Sequence, residues 1–277
     1  GANITTGTAN TFVGGLAGDA TDDGTNNTAM GYLALSANCG NDNTAIGKAS
    51  LQVATGGGNV AVGKDSGLSL TSGELNTFIG ASAGDGTDDG NDNVAIGHQA
   101  LSANAGDDNV AIGKDALLVN TKNQNIAIGS HALDADVNGG TSVAIGHNAL
   151  TAQNPATAVD MMNVAVGNSA GMSVTTGINN TFVGGGAGDA TTTANQNVAV
   201  GKDAFTSNVA GAKNVAIGTA AMANFNVTAT DSLNTCVGDH AGSAMTTGVF
   251  NVCVGGNAGD ALTDADGNVA IGRHALG

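Results

Sequence analysis

The chain has 277 residues, of which 45 are Gly, only 3% are aromatic and only 11% are charged. A globular enzyme of this length fills a wide core with aromatic and large aliphatic side chains, so the composition argues against one. The net charge of −16, with seven Lys and Arg, excludes nucleic acid and disfavours an anionic membrane surface as partners. A hydrophobic content of 41% argues against disorder, and no apolar run predicts a membrane-inserted segment.

One pentapeptide recurs along the whole chain: Asn, then Thr, Val or Ile, then a small residue, then Ile or Val, then Gly. Its second position is never large and aromatic, whereas its third is mostly Ala, with Phe at 12, 78 and 182 and Cys at 236 and 253. The sixteen glycines that end it stand at 14, 31, 47, 63, 80, 97, 113, 129, 146, 167, 184, 201, 218, 238, 255 and 272. Repeats of this kind predict a stacked architecture with a thin core.

Most steps between these glycines are 16 or 17 residues, about one coil of a narrow parallel β-roll. Each unit predicts a short strand, a Gly turn, a second short strand such as Ala100 and Leu101, and a loop rich in Asn, Asp, Gly and Thr. We therefore predict an all-β solenoid of about 16 rungs, forming one array over residues 1–277 within a longer chain. Two longer steps indicate insertions near 153–161 and 225–230, and the first contains the only proline, Pro155.

Alternation along the strand separates the pentapeptide into two apolar faces, and two apolar faces indicate burial on both sides. We expect the second and fourth positions to fill the inside of the coil. The face formed by the third position then needs a partner surface, so the sequence predicts an obligate oligomer. The residues predicted at that interface are Phe12, Phe78, Phe182, Ala61, Ala95, Ala111, Cys236 and Cys253.

The extended pattern Asn-x-Ala-Ile-Gly-x-x-Ala-Leu, as in residues 93–101 and 109–117, resembles the head repeat of YadA-type trimeric autotransporter adhesins. Similar repeats occur in bacteriophage tail fibres. The resemblance covers essentially the whole chain. It implies a left-handed parallel β-roll and a homotrimer, intertwined or side by side, on a virion or bacterial cell surface. The repeat unit here is longer than that of the adhesin heads, and the sequence contains neither a coiled-coil stalk nor a membrane anchor.

Several loops are rich in Asp and could supply the oxygen ligands that calcium prefers. Asp, Asn and Gly also favour tight turns for purely conformational reasons, and no loop has the full pattern of an EF-hand. Both interpretations stay open, and no other cofactor is expected. The candidate calcium ligands are Asp22, Asp23, Asp88, Asp89, Asp264 and Asp266.

The remaining polar candidates also follow the repeat. Basic residues directly after the repeat Gly predict a charged stripe, which would be either a track for a ligand or a ladder of ion pairs: Lys48, Lys64, Lys114, Lys202 and Arg273. Histidines occupy the first or second position after the same Gly, as expected of turn residues and not of metal ligands: His98, His131, His147, His240 and His274. Cys236 and Cys253 predict small buried side chains one rung apart, and Cys39 falls in a loop.

These features favour a non-enzymatic structural and adhesive protein, an extracellular rod that presents a surface to a host glycan or protein receptor. Three alternatives stay open. A tail spike that degrades polysaccharide would need a pair of carboxylates in a groove. An ice-binding solenoid would need an outward array of Thr, which Val60, Val94 and Val110 interrupt. A calcium-binding solenoid would use the Asp-rich loops.

Overall fold

The structure, a computed structural model, describes residues 4–227 and 231–277. It is an all-β parallel β-solenoid, as predicted, and the described residues contain no helix. None of these residues therefore forms a helix with the length and apolarity of a membrane span. The chain divides into two compact units, Gly1–Asn138 and Gly139–Gly277, and each contains eight rungs of the repeat.

The first unit is built from eight three-residue strands that pair in chain order, all parallel. The register is that of the repeat, so Val60, Ala61 and Val62 pair with Thr77, Phe78 and Ile79. The strands are β1 (Thr11–Val13), β2 (Thr28–Met30), β3 (Thr44–Ile46), β4 (Val60–Val62), β5 (Thr77–Ile79), β6 (Val94–Ile96), β7 (Val110–Ile112) and β8 (Ile126–Ile128). Each rung is named below by its strand.

The second unit repeats this arrangement and adds a small parallel pair, β9 (Gly139–Gly140) with β11 (Val159–Asp160). The strands of its main sheet also pair in chain order: β10 (Val143–Ile145), β12 (Val164–Val166), β13 (Thr181–Val183), β14 (Val198–Val200), β15 (Val215–Ile217), β16 (Thr235–Val237), β17 (Val252–Val254) and β18 (Val269–Ile271).

The two predicted insertions lie in the second unit. The first contains β11 and Pro155, in a loop as predicted. The second begins at Phe225, whose ring is buried and stacks on that of Phe205, with centroids 5.8 Å apart. The end of this insertion, residues 228–230, lies outside the described residues.

A ladder of asparagines connects the rungs inside each unit. The backbone N–H of each repeat Asn from Asn27 to Asn125 donates to the side-chain oxygen of the repeat Asn one rung earlier, at 2.8–3.0 Å. The amide nitrogen of the same side chain donates to a loop carbonyl of the following rung, as Asn76 does to Gly90 at 2.8 Å. Buried polar groups must be paired in this way, which explains why the first position of the repeat is Asn in every rung except that of β10, where it is Ser142.

The inward-pointing Asn also fixes which strand face is buried. Because side chains alternate along a strand, an inward first position sends the third position inward and the second and fourth outward. The prediction for the subunit interface is therefore wrong: its third-position side chains line the coil interior and leave no area for a partner. Phe12 is half-buried in the first rung, and the others are 0% exposed, namely Phe78, Phe182, Ala61, Ala95, Ala111, Cys236 and Cys253.

The predicted second strand in each rung is also wrong. Ala100 and Leu101 are buried, as expected of an apolar pair, but they belong to a turn. Leu101 has a φ of +56°, in the left-handed region, which an extended strand cannot contain. The chain bends at this position in nearly every rung, so each rung of the described residues has one three-residue strand, and the β9–β11 pair is the one addition.

The repeat Gly is required by two geometric facts. Gly63 has a φ of +144°, a backbone conformation that residues with a Cβ atom rarely adopt. A Cβ atom added there would lie 2.3 Å from the carbonyl oxygen of Gly80 in the next rung. The close approach of successive turns therefore explains why the last position of the pentapeptide never varies.

Candidate functional site

The outward strand face is the most regular exposed surface of each unit. The second and fourth positions of every strand lie on it, and nearly all are β-branched residues, half-buried or exposed. Ile79, for example, is 39% exposed although large aliphatic residues are normally buried. Contiguous apolar surface of this kind on a soluble protein marks an interaction site. We call it the strand face.

Two columns of side chains border the strand face. The leading edge is the residue just before each repeat Asn, and the trailing edge is the residue just after each repeat Gly. Leu75 and Phe250 lie on the leading edge and are 61% and 56% exposed, so they extend the apolar surface. Sequence reasoning did not single out this column. The signal was present, because large apolar residues alternate there with Asp, Asn and Gln.

The trailing edge contains the predicted basic stripe. Its lysines lie at the surface, and three of them form ion pairs with the next residue in sequence: Lys64 with Asp65 at 2.9 Å, Lys114 with Asp115 at 3.0 Å, and Lys202 with Asp203 at 2.6 Å. Lys48 and Arg273 hold the same position in the β3 and β18 rungs. Pairs this exposed contribute little to stability.

On the loop side of the first unit, four successive rungs form a shallow groove of about 560 Å³. Its lining includes the apolar side chains of Leu68 and Val53, and Asp88 is its only charged residue. Asn104 accepts a hydrogen bond from the Asp88 backbone N–H at 2.9 Å, which holds the loop in place. The complete lining is Gln52, Val53, Leu68, Ser69, Thr71, Gly86, Asp88 and Asn104. Of these residues, only Asp88 is a candidate ligand predicted from the sequence.

The candidate calcium ligands are all exposed, and four accept hydrogen bonds, three of which come from the neighbouring rung. The carboxylate of Asp22 accepts from the Thr5 hydroxyl, and that of Asp88 accepts from the Thr71 hydroxyl. Asp266 accepts from the Val249 backbone N–H at 2.8 Å, and Asp264 from the Thr263 hydroxyl at 3.2 Å. Across residues 4–227 and 231–277, no three His, Cys, Asp or Glu side chains are arranged to hold a metal ion. Calcium binding by these residues, Asp23 and Asp89 included, stays a prediction.

The histidines lie in turns, where two of them contact carboxylates. His131 Nδ1 lies 3.0 Å from Asp134 and 3.8 Å from Asp115, and His240 Nδ1 lies 3.0 Å from Asp239. His98, His147 and His274 occupy the equivalent turn positions of other rungs. The structure therefore places the histidines as turn residues spread along the solenoid.

All three cysteines are buried as free thiols. Cys236 and Cys253 are register partners on β16 and β17. The hydrogen bond that Cys236 shares with Cys253, together with burial, raises the pKa of Cys236. Burial also raises the pKa of Cys39, whose sulfur lies 3.3 Å from the Thr21 hydroxyl. These thiols are inward-facing packing groups.

The Thr positions considered for ice binding lie on the strand face. This placement corrects the expectation that the second position faces inward, because Thr28, Thr44 and Thr77 are half-exposed. Val60 and Val94 still interrupt the column. The exposed surface is therefore a mixed column of Thr and Val.

The sequence was compared with protein-family models and with curated proteins. No protein-family model matches the sequence. No curated protein matches it either.

Proposed function

We propose that this protein is a non-enzymatic structural and adhesive fibre protein that assembles as a homotrimer through its strand faces. The observation that carries the proposal is the outward column of Ile and Val, with Met30 in the β2 rung, which is half-buried or exposed and which no element of the described residues covers. Two such side chains per rung present on the order of 100 Å², so eight rungs offer about 800 Å², which a trimer divides between two neighbours; the sixteen rungs of both units then offer the ~800 Å² per partner of a stable interface. The occupant that fits best is another copy, because its rungs have the same spacing.

The resemblance to the head repeats of trimeric adhesins and to phage tail fibres supports the same proposal. In those proteins parallel β-rolls project from a surface, and we propose that this chain does so from a virion or a bacterial cell, outside the cell, in the left-handed form. The interface differs from the one expected from sequence. Here the second and fourth positions bind the neighbouring copies, and the third position fills each coil.

We further propose that the receptor contacts the groove on the loop side of the first unit. The groove between Gln52 and Asn104 combines amides, hydroxyls and one carboxylate with apolar side chains, and its lining includes no base. This set suits a neutral saccharide, whose hydroxyl groups both donate and accept hydrogen bonds. Binding to a panel of neutral oligosaccharides should weaken in Asn104→Ala and stay unchanged in Asn123→Ala. Equal binding by the two variants, or no binding by the parent protein, would contradict this assignment.

Lysine substitutions on the strand face test the assembly. Ile79→Lys with Ile112→Lys places two charges in the proposed interface without entering the core, so the double variant should fold and dissociate. Val209→Lys is the matched control, since Val209 is 39% exposed in a loop. Circular dichroism reports folding, and light scattering reports mass. A double variant that keeps the oligomeric mass would refute the proposed interface.

A further inference from the structure

Four sulfur-containing side chains lie together inside the coil of the second unit, in the successive rungs of β15, β16 and β17. Cys236 and Cys253 are register partners on β16 and β17. Both are free thiols, and Cys236 donates a hydrogen bond to Cys253. Met222 and Met245 belong to the turns that follow β15 and β16. All four side chains are 0% exposed, and we call them the sulfur cluster.

One point in the turn after β16 shows how closely three of these side chains approach one another. A Cβ atom placed on Gly242 would lie 2.6 Å from the Cys236 sulfur and 3.5 Å from the methyl carbon of Met245. The same point lies 3.6 Å from Cγ of Met222. Cys236 and the two methionines therefore border one small region of the interior, which a side chain at position 242 would fill.

Cys253 adjoins this region from the next rung. The Met245 sulfur lies 3.9 Å from the side-chain nitrogen of Asn251, the buried repeat Asn two residues before Cys253. A glycine also adjoins this thiol, since a Cβ atom on Gly259 would lie 2.4 Å from its sulfur. Met245 therefore packs against the interior of both cysteine-containing rungs.

The sulfur atoms occupy positions that other rungs fill with hydrocarbon side chains. The third position of the repeat is Ala or Phe in every rung except those of β16 and β17. Met222 has the turn position of Leu101, and Met245 has that of Leu70. Ala and Leu meet the packing requirement in those rungs. The concentration of thiol and thioether groups in three successive rungs therefore favours a role for sulfur beyond packing.

We propose that Cys236, Cys253 and Met245 form a binding site for Cu(I). Thiolate and thioether groups are soft ligands that select this ion. Zinc is held at structural sites by four ligands drawn from Cys, His, Asp and Glu. No three such side chains are arranged to hold a metal ion in the part of the chain that the structure describes. Binding of Cu(I) releases the two thiol protons to solvent and transfers no electron.

The expected role of the ion is to join neighbouring rungs. A Cu(I) ion between the two cysteines would link β16 to β17 through side chains, next to the column of buried Asn. An ion that binds the folded chain and not the unfolded chain stabilises the fold by mass action. Because all three ligands belong to one chain, the inference does not depend on the proposed assembly.

Refolding in the presence of Cu(I) tests the site. The ligands are buried, so the full chain is refolded from urea with excess Cu(I) and a reductant, without oxygen, and is then separated from free metal. We expect about one copper ion per chain and a higher melting temperature than that of the protein refolded without metal. A parent protein that retains no copper would overturn the proposal.

A double variant without the two thiols shows whether they hold the copper. Cys236→Ala with Cys253→Ala introduces the residue that most rungs have at the third position, so this variant should fold, and it should retain no copper. Cys39→Ala is the matched control, because Cys39 is a buried thiol outside the sulfur cluster. It should retain as much copper as the parent protein. Equal retention by the control and the double variant would show that the copper is bound elsewhere.

Met245→Leu isolates the contribution of the thioether. Leu70 holds the equivalent position in the β4 rung, so packing should be preserved. Competition with a chromogenic Cu(I) chelator during refolding should show an affinity at least tenfold lower than that of the parent protein. Met172→Leu, in an exposed turn, should leave the affinity unchanged. An affinity of Met245→Leu equal to that of the parent protein would overturn the assignment of Met245 as a ligand.

Discussion

The side-chain oxygen of Asn76 accepts a hydrogen bond from the backbone N–H of Asn93, one rung further along, at 3.0 Å. Both residues are 0% exposed. The same contact repeats through each unit, so one polar column inside an apolar coil sets the register of neighbouring rungs. It also decides which residues face inward and which face outward, and so makes the strand face available for assembly.

Removal of one Asn side chain from this column should lower the stability of the fold. Asn93→Ala leaves the Asn109 backbone N–H without the acceptor that it contacts at 2.9 Å, and it removes the 2.8 Å donor of the Gly106 carbonyl, which keeps only the Asn109 side chain at 3.3 Å. One unpaired buried N–H and one weakened carbonyl contact should lower the free energy of unfolding by about 1–3 kcal/mol. Urea denaturation measures this loss. Asn168→Ala, at an exposed turn position, should change stability by less than about 0.5 kcal/mol. Equal effects of the two variants would contradict the role of the column.

The column of buried Asn side chains is interrupted in the β10 rung, and a residue of the first insertion supplies the missing hydrogen bonds. Ser142 stands where the β10 rung would have Asn, and its side chain is shorter. Gln153, from the insertion, donates to the Ser142 hydroxyl at 3.1 Å and accepts from the Asn163 side chain at 2.9 Å. Gln153→Leu should therefore cost about 1–3 kcal/mol, as measured by urea denaturation. Gln99→Leu, in an outer turn, is the comparison, and stability equal to the parent protein in both variants would refute the repair.

Inside the coil, a large side chain at the third position of a rung is accompanied by a small residue in the turn that follows, and a small third-position side chain by a large one. The ring of Phe78 lies 2.7 Å from the position that a Cβ of Gly84 would occupy. The β6 rung has Ala95 and Leu101 at the corresponding sites. Phe78→Ala should cost about 3–5 kcal/mol, and Gly84→Leu should be destabilising on its own. The double variant should be more stable than the sum of the two changes predicts, as thermal denaturation can show. If the stability changes of the two single variants add up to that of the double variant, the two sites do not compensate each other in volume.

The thiols should react only after unfolding. All three cysteines are buried. The pKa of Cys39 and that of Cys236 are raised, so their reactive thiolate is scarce at neutral pH. The hydrogen bond with Cys236 lowers the pKa of Cys253, so that thiol is protected by its burial. An aromatic disulfide reagent at pH 7 should label none of the three cysteines in the folded protein within minutes and all of them in denaturant. Rapid labelling of Cys236 without denaturant would show that the third position is accessible.

Repeat spacing alone predicted the fold, because few structures other than a β-solenoid are compatible with glycine and β-branched residues at a fixed period. The assignment of strand faces was the part that failed. Ile79 is more hydrophobic than Ala61, and hydrophobicity alone places Ile inside. The repeat Asn must instead point inward, because its side chain forms hydrogen bonds with the backbone of the neighbouring rung. Those partners are identified only in the stacked structure.

The candidate surfaces were predictable only in part. The basic stripe was found because its residues follow the invariant Gly. The leading edge was missed because Asp42, Leu75 and Phe250 have no common chemistry and share only a position. The groove depends on Leu68 and Asn104, which lie two rungs apart in the stacked coil, and no local pattern joins them.

The solution mass of the folded protein tests the central claim most directly. Light scattering at micromolar concentration should give three times the chain mass of 26.5 kDa, and the mass should fall when Ile79 and Ile112 are both replaced by Lys. A stable, folded protein with the mass of one chain would show that the strand face needs no partner, and it would contradict the proposed fibre.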